Sequence, residues 1–186
     1  MLLLLPLAVA VLLVIFVVGI YNGLVGLRNR AAAAWADIEV QLKRRHDLVG
    51  NLVETVKGYA KHEQQTLDRV VEARGRAMGA TGGGGPREAG QAENFLTSQL
   101  RSLFALAEAY PDLKANQNFQ DLQRSLEALE TEVQNARRYY NAVVRDLNTR
   151  IQSVPDVFVA RMFGFKEREF FELTDPAEGL APKVQF

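Results

Sequence analysis

Residues 2–20 read LLLLPLAVAVLLVIFVVGI, an apolar run of about 19 residues that carries no charge. As an α-helix this run is roughly 28 Å long, which nearly matches a hydrocarbon core of about 30 Å. A cleaved signal peptide is the alternative, because Ala8-Val9-Ala10 resembles a cleavage site. However, no Lys or Arg precedes the run, and cleavage there would leave a long apolar segment behind. The sequence therefore predicts a transmembrane anchor over residues 1–20, from Leu2 to Ile20, with Tyr21 at the membrane–water interface.

The flanking charges predict the orientation of this anchor. The nearest cations, Arg28 and Arg30, both follow the run. Positive residues favour the cytoplasmic side, so we expect a single-pass protein with its N-terminus outside and its C-terminal domain in the cytoplasm. The chain has no cysteine, which fits a reducing compartment and removes disulfides.

The rest of the chain has helical periodicity. Apolar residues recur at three- and four-residue spacing, and no alternating pattern long enough for a strand occurs. The sequence GATGGGGP at 79–86 predicts a flexible turn, and Pro111 and Pro155 predict helix ends. The predicted helices span about 21–78, 87–110 and 116–153. This predicts an all-α fold, in which the transmembrane helix continues into a long antiparallel three-helix bundle over 21–154.

A short helix and an aromatic tail are expected over 155–186. After an up-down-up bundle, this segment should lie tens of ångströms from the bilayer. Phenylalanines at this density should not stay exposed, so the tail either folds back on its own bundle or docks on a neighbouring protomer or another protein. The candidate docking residues are Phe158, Phe163, Phe165, Phe170 and Phe171.

Polar residues interrupt the apolar stripes and form a candidate polar seam. A charge on a packed face needs a partner, so we expect these groups to pair across the bundle. The alternative is that small helix rotations leave them in water at the rim. The seam comprises Arg45, Glu63, Glu130, Arg137, Asn141 and Asn148.

No motif in the sequence predicts catalysis or a cofactor. HEQQT at 62–66 lacks the second histidine of a zinc helix, and no G-K-[S/T] follows the glycine run. The formal net charge is zero, and Lys43-Arg44-Arg45-His46 fan around a helix, so we expect no nucleic-acid partner. We expect no metal, no cofactor, no small-molecule substrate and no enzyme activity.

Several long motifs resemble the bacterial LemA family, and the resemblance covers nearly the whole chain. They are YNGLV (21–25), LRNR (27–30), AWADI (34–38), VQLKRRHDL (40–48), NLVETVKGYA (51–60), YPDLKAN (110–116), Asn118-Phe119, Ala136-Arg137 with Tyr140-Asn141, and FGF (163–165). The chain departs from the family at Gly50, where proline is usual, and at Leu129, where a threonine usually precedes the glutamate. The resemblance implies an N-terminal anchor in the bacterial inner membrane, a helical-bundle domain and no established catalytic activity. One relative takes part in forming magnetosome membranes, which implies a link to membrane organisation.

Two hypotheses for function follow. The first is a non-enzymatic scaffold that self-associates through its helical faces and aromatic tail, as a homo-oligomer on the cytoplasmic side of the bilayer. The second is a binding module that recruits a cytoplasmic partner or senses envelope stress.

Overall fold

The computed structural model describes residues 4–173, with side chains from Pro6 onward, and this part of the chain is helical and contains no strand. Leu2 and the last part of the predicted tail, 174–186, lie outside the described residues. The prediction of an all-α protein with a long N-terminal apolar helix is confirmed. The helices are α1 (Leu4–Tyr59), α2 (Gln64–Gly83), α3 (Gly85–Ala107), α4 (Pro111–Lys114), α5 (Gln117–Gln152) and α6 (Asp156–Met162).

The first predicted helix, 21–78, is wrong as a single element, because the chain leaves the helix after Tyr59 and α2 begins at Gln64. Gly58 weakens the helix just before this break, by about 1 kcal/mol relative to alanine. The apolar spacing is the same whether the helix continues or turns back, so periodicity alone does not locate the reversal. The glycine-rich stretch also differs from the prediction. Only Gly84 separates α2 from α3, and Gly85 takes the left-handed conformation (φ 77°) that glycine adopts without strain.

The chain divides into two compact units, and four helical segments form one of them: Ile38–Tyr59 of α1, α2, α3 and the first part of α5 up to Asn135, together with the chain from Phe171. Asn116 donates to the Tyr59 hydroxyl at 2.8 Å, so α5 starts beside the end of α1 and runs antiparallel to it. The Tyr110 hydroxyl donates to Glu63 at 3.2 Å, which places the end of α3 near the same turn. This unit is therefore an antiparallel bundle of four segments, and the predicted count of three is wrong because the reversal after Tyr59 adds a pass.

The core of the four-segment unit combines the stripes of all four segments. Both stripes that flank the break after Tyr59 lie in this single core, which explains why the chain reverses there. Its larger buried members are Val49, Leu52, Val53, Val56, Leu67, Val70, Leu96, Leu100, Leu103, Leu113, Phe119 and Leu126.

The other unit joins the residues up to Asp37 with Ala136–Phe170. Its apolar core contains Leu24 and Leu27 of α1, Leu147 and Ile151 of α5, and Val159 of α6, among others. Further along α1, the Trp35 and Tyr140 rings lie 5.5 Å apart between centroids. Residues near the start of this part of α1 therefore contact residues near the end of α5, and the two helices run antiparallel.

The burial of α1 changes abruptly near Ile20. Large apolar side chains between Leu7 and Val18 are exposed, whereas Ile20 and Leu24 are buried. Val17 and Tyr21 are half-buried against the core of this unit. The described part of the predicted anchor is therefore almost uncovered by protein, and packing begins where the apolar run ends.

The start of the aromatic tail lies beside this end of the apolar run, so the expectation that the tail lies tens of ångströms from the predicted anchor is wrong. The ring centroids of Phe163 and Phe165 lie 4.8 and 5.7 Å from that of Tyr21. Gly164 (φ 70°) ends α6, and the Phe165 N–H donates to the Ala160 carbonyl at 2.9 Å, as in a Schellman motif. The physical reason for the correction is the antiparallel course of α5, which returns the chain toward Ile20.

The end of the described tail packs in the four-segment unit. Phe171 and Leu173 are buried, and Asn94 donates to the Glu172 carbonyl at 3.4 Å. Gly90 of α3 permits this close approach, because a Cβ there would lie 2.5 Å from the Glu172 carbonyl oxygen. Glycine at position 90 is therefore required for the Glu172 segment to pack this closely against α3.

We predict that Gly90→Ala destabilises the protein by about 1–3 kcal/mol, because the new methyl group forces backbone apart. Gly79→Ala is the matched control, since a Cβ at this exposed helical position meets nothing within 4 Å. The control should gain about 0.5–1 kcal/mol from helix propensity. Denaturant unfolding measures both, and a stabilised Gly90→Ala protein would contradict the close packing of Glu172.

Candidate functional site

A fully buried carboxylate, Glu93 of α3, lies at the centre of the four-segment unit (0% exposed). Its Oε2 accepts a hydrogen bond from Arg45 Nη1 at 2.6 Å, and its Oε1 lies 2.6 Å from His46 Nε2. Both carboxylate oxygens are therefore occupied by side chains of α1.

Arg45 and His46 extend this contact to the other helices. Arg45 Nη2 donates to the Thr97 hydroxyl at 2.8 Å and lies 3.2 Å from Glu130 Oε2 on α5. Arg74 of α2 donates from Nε to the His46 carbonyl at 2.6 Å. All four helical segments of the unit thus contribute to one ion network, which we call the Glu93 network (Arg45, His46, Arg74, Glu93, Thr97 and Glu130).

The chemistry of the Glu93 network is that of a structural site. Glu93 is inaccessible to water, and each of its oxygens contacts a side chain of α1, so its partners are other side chains of the fold. Removing one member of a buried pair leaves an uncompensated charge, at a cost of about 3–5 kcal/mol. Buried ionic groups of this kind fix helix register and partner choice. Within residues 4–173 no three side chains of the metal-ligating types come together.

A cleft of about 450 Å³ opens beside the Glu93 network in the same unit. Leu100, Phe104, Leu126 and Leu173 supply its apolar surface. Arg45, Arg101, Gln123, Glu127, Glu130 and Gln134 supply the polar surface. The volume falls in the range of small-ligand sites, about 300–1,000 Å³.

In the other unit, side chains of α5 fasten the extended segment after α6. The Asn148 amide donates to the Arg168 carbonyl and accepts from its N–H, both at 2.9 Å. The Tyr140 hydroxyl donates to the Glu169 carbonyl at 2.9 Å. These three bonds satisfy backbone groups that no strand or helix would otherwise pair.

Comparison with known proteins identifies the family. A family model described as the LemA family matches residues 34–186. The chain belongs to the LemA family. It is 27% identical over 174 residues to magnetosome protein MamQ of Magnetospirillum gryphiswaldense, covering 81% of this chain and 64% of the relative. It is also 25% identical over 177 residues to MamQ 1 and to MamQ 2 of Paramagnetospirillum magneticum, covering 82% of this chain and 64% of each relative. The chain thus spans under two thirds of the length of these relatives.

The residues of the predicted polar seam of this LemA-family chain are divided between the two units. Arg45 and Glu130 meet in the Glu93 network, whereas Glu63 accepts from Tyr110 at the turn before α2. Asn148 binds the extended segment. Arg137 and Asn141 are half-buried on the part of α5 that lies in the unit with the apolar run.

The predicted docking phenylalanines also differ in burial. Phe158, Phe163 and Phe170 are exposed, Phe165 is half-buried against Tyr21, and Phe171 is fully buried. Phe165 and Phe171 therefore pack within the chain's own fold.

Sequence reasoning missed Glu93 and His46. Glu93 precedes the buried Leu96 by three residues, so it lies on the apolar face of α3. His46 belongs to a run of four basic residues that fan around α1, and it follows Leu42 by four residues on the buried face of the helix. Extending both apolar stripes by one step would have placed an acid and a histidine in the core.

Two tyrosines have raised pKa values. Burial raises the pKa of Tyr140, with a smaller contribution from Glu169, and Arg168 opposes the shift. Burial and the hydrogen bond to Glu63 raise the pKa of Tyr110. In both cases the fold favours the neutral phenol, which keeps its proton for a hydrogen bond.

We predict that Glu93→Gln lowers the free energy of unfolding by about 3 kcal/mol or more, because Arg45 stays buried without its closest counter-charge. Glu72→Gln is the control, since its 2.5 Å pair with Arg76 is exposed and should contribute less than about 1 kcal/mol. An Arg45→Met/Glu93→Met variant should recover part of the loss. Equal effects of the two single substitutions in denaturant unfolding would refute a structural role for the Glu93 network.

We predict that Tyr140→Phe lowers stability at neutral pH by about 1 kcal/mol, because the Glu169 carbonyl loses its donor. A raised folded pKa contributes stability below the unfolded pKa of about 10, and this is lost as the pH rises through the folded value. The native protein should therefore lose stability above about pH 10 more steeply than Tyr140→Phe. Exposed Tyr139→Phe should match the native protein in unfolding curves across the same pH range.

Proposed function

We propose that this protein is a membrane-anchored, non-enzymatic helical scaffold that self-associates on the cytoplasmic side of the bacterial inner membrane. The observation that carries the proposal is the behaviour of α1. The helix has the length and composition to cross a bilayer and exposes its apolar side chains from Leu7 to Val18. At Ile20 it becomes part of a protein core. An exposed apolar surface of this extent is unfavourable in water and is stabilised by contact with lipid.

The charges after the apolar run support the orientation in this proposal. Arg28 and Arg30 are exposed on α1, within three turns of Ile20, and no acidic residue lies between Tyr21 and Ala36. Positive residues are retained on the cytoplasmic side during insertion. This supports a cytoplasmic location for the bundle.

The relatives support a role in membrane organisation. MamQ is named as a magnetosome protein, and neither that name nor the family description denotes an enzyme. The occupied oxygens of Glu93 point the same way, because the most deeply buried carboxylate of the described chain is used for packing helices.

A groove of about 360 Å³ on the four-segment unit supports self-association. Val71 lies on its rim with 52% of its surface exposed. Two acids and two bases, Glu54, Asp68, Lys57 and Lys61, also line it. A surface that mixes both charges around an apolar residue can pair with its own copy about a two-fold axis, where each acid meets a base.

We predict that the full-length protein in native lipid particles contains more than one copy, and that Val71→Glu lowers the copy number by placing a charge in the contact. Val40→Glu is the matched control, because Val40 is 50% exposed and does not line the groove. Native mass spectrometry measures the number of copies. A monomer at every protein density, or an equal effect of the two substitutions, would refute self-association through this groove.

The cleft beside the Glu93 network favours a second candidate, a module that binds a cytoplasmic partner or senses envelope stress. Its apolar surface and charged rim suit an amphipathic segment of another protein. Native mass spectrometry of the same lipid particles would then show an additional fixed mass from the bound partner. Glu127→Lys, which changes a residue lining the cleft, should remove this mass. Glu132→Lys, on the same helix but outside the cleft, should keep it.

A further inference from the structure

Helix α6 has two apolar faces, and only one of them is covered. Val159 and Ala160 are buried in the core shared with Ile20 and Leu24. On the other side, Phe158 is 63% and Met162 72% exposed. These two residues are four apart and share a helix face. Val154 and Phe163, which flank the helix, are also exposed. We call these four residues the α6 surface.

The height of the α6 surface along α1 is set by its packing. The core that holds Val159 and Ala160 includes Ile20 and reaches the half-buried side chains of Val17 and Tyr21. Val17 to Tyr21 is one helical turn, roughly 6 Å, at the end of the apolar run. The α6 surface therefore lies at the level where α1 would leave the hydrocarbon core.

We propose that the α6 surface inserts into the interfacial layer of the same bilayer that α1 crosses, as a second and monotopic membrane contact. The proposal rests on the anchoring of α1 in the proposed function. It assigns Phe158, Met162 and Phe163 to the acyl–headgroup boundary, where aromatic side chains are favoured. The occupant of this surface is lipid, because Phe163 contacts Tyr21, which lies three residues after the exposed Val18 of the apolar run.

The charges around the α6 surface fit an interfacial location. Arg161 and Lys166 are exposed, and the Arg28 guanidinium lies 5.4 Å above the Phe165 ring. The acid of α6, Asp156, is buried and accepts from Arg150 Nε at 2.6 Å. Helices that lie in a membrane surface combine apolar side chains with Lys and Arg that reach the phosphates.

A second contact would constrain how α1 sits in the bilayer. A single apolar helix leaves its tilt and rotation to interfacial anchors. With α6 in the surface, rotation of α1 would lift Phe158 and Met162 out of the lipid. The α6 surface would thereby fix the rotational setting of the anchor relative to the membrane.

The cysteine-free sequence allows a direct test with single labels. Full-length Met162→Cys and Phe158→Cys proteins carry a fluorophore in nanodiscs that hold one copy each. Leu12→Cys reports the depth of the anchor, and exposed Tyr139→Cys reports water in the same unit. We expect lipids that carry a quencher at the headgroup to quench most of the fluorescence of labels at positions 158 and 162. Iodide in the aqueous phase should quench most of the fluorescence of the label at position 139. Lipids that carry a quencher deep in the acyl chain should quench most of the fluorescence of the label at position 12.

The outcomes separate this inference from the proposed function. If labels at 158 and 162 respond to iodide as the label at 139 does, while deep quenchers reach 12, the anchor stands and the α6 surface is not a membrane contact. If no lipid quencher reaches 12, the anchor itself fails and the inference fails with it. A third outcome assigns the α6 surface to a second copy of the protein and overturns the proposal. In that case lipid quenchers do not reach the labels at 158 and 162, and iodide fails to reach them only in nanodiscs that hold two copies.

Discussion

The structure depends on the point at which α1 changes its surroundings, between Val18 and Ile20. Before this point the large apolar side chains except the half-buried Val17 are exposed, and after it the same helix forms a core with α5 and α6. The apolar run and the packed helix are one element, so no loop separates anchor from domain. Tyr21 marks the boundary, because its ring contacts Phe163 and Phe165 from the far end of the chain. The end of the apolar run therefore lies beside the residues that pack α6 and the segment after it against α1.

The Glu93 network imposes a second constraint, in the other unit. A buried carboxylate between Arg45 and His46 is tolerable only when both partners are in place, since burial of an unpaired charge is strongly unfavourable. Hydrophobic stripes can slide by a turn at moderate cost, whereas these short charged contacts cannot. The network therefore selects one register among the several that the apolar stripes of α1, α2, α3 and α5 would allow.

The helical class, the apolar run and the family could be predicted from the sequence, because long periodic patterns and long motifs are local signals. The reversal after Tyr59 could not, since Val56, Ala60 and Leu67 keep one spacing on either side of it. Because this reversal was not predicted, the predicted number of helical segments was too low, and the aromatic segment was expected far from the apolar run. Arg45 and Glu130 were recognised by their positions on the stripes, but Glu93 was not, because a glutamate reads as solvent-exposed until its partners are known.

The antiparallel pairing of α1 with α5 has a consequence for biosynthesis. Leu24 leaves the ribosome early, but its partners Leu147 and Ile151 follow roughly 130 residues later, a delay of about 6–25 s at usual elongation rates. During this interval Ile20, Leu24 and Leu27 lack their protein neighbours. In the proposed membrane-anchored protein, this segment therefore needs temporary cover from lipid or a chaperone until the last helices are made.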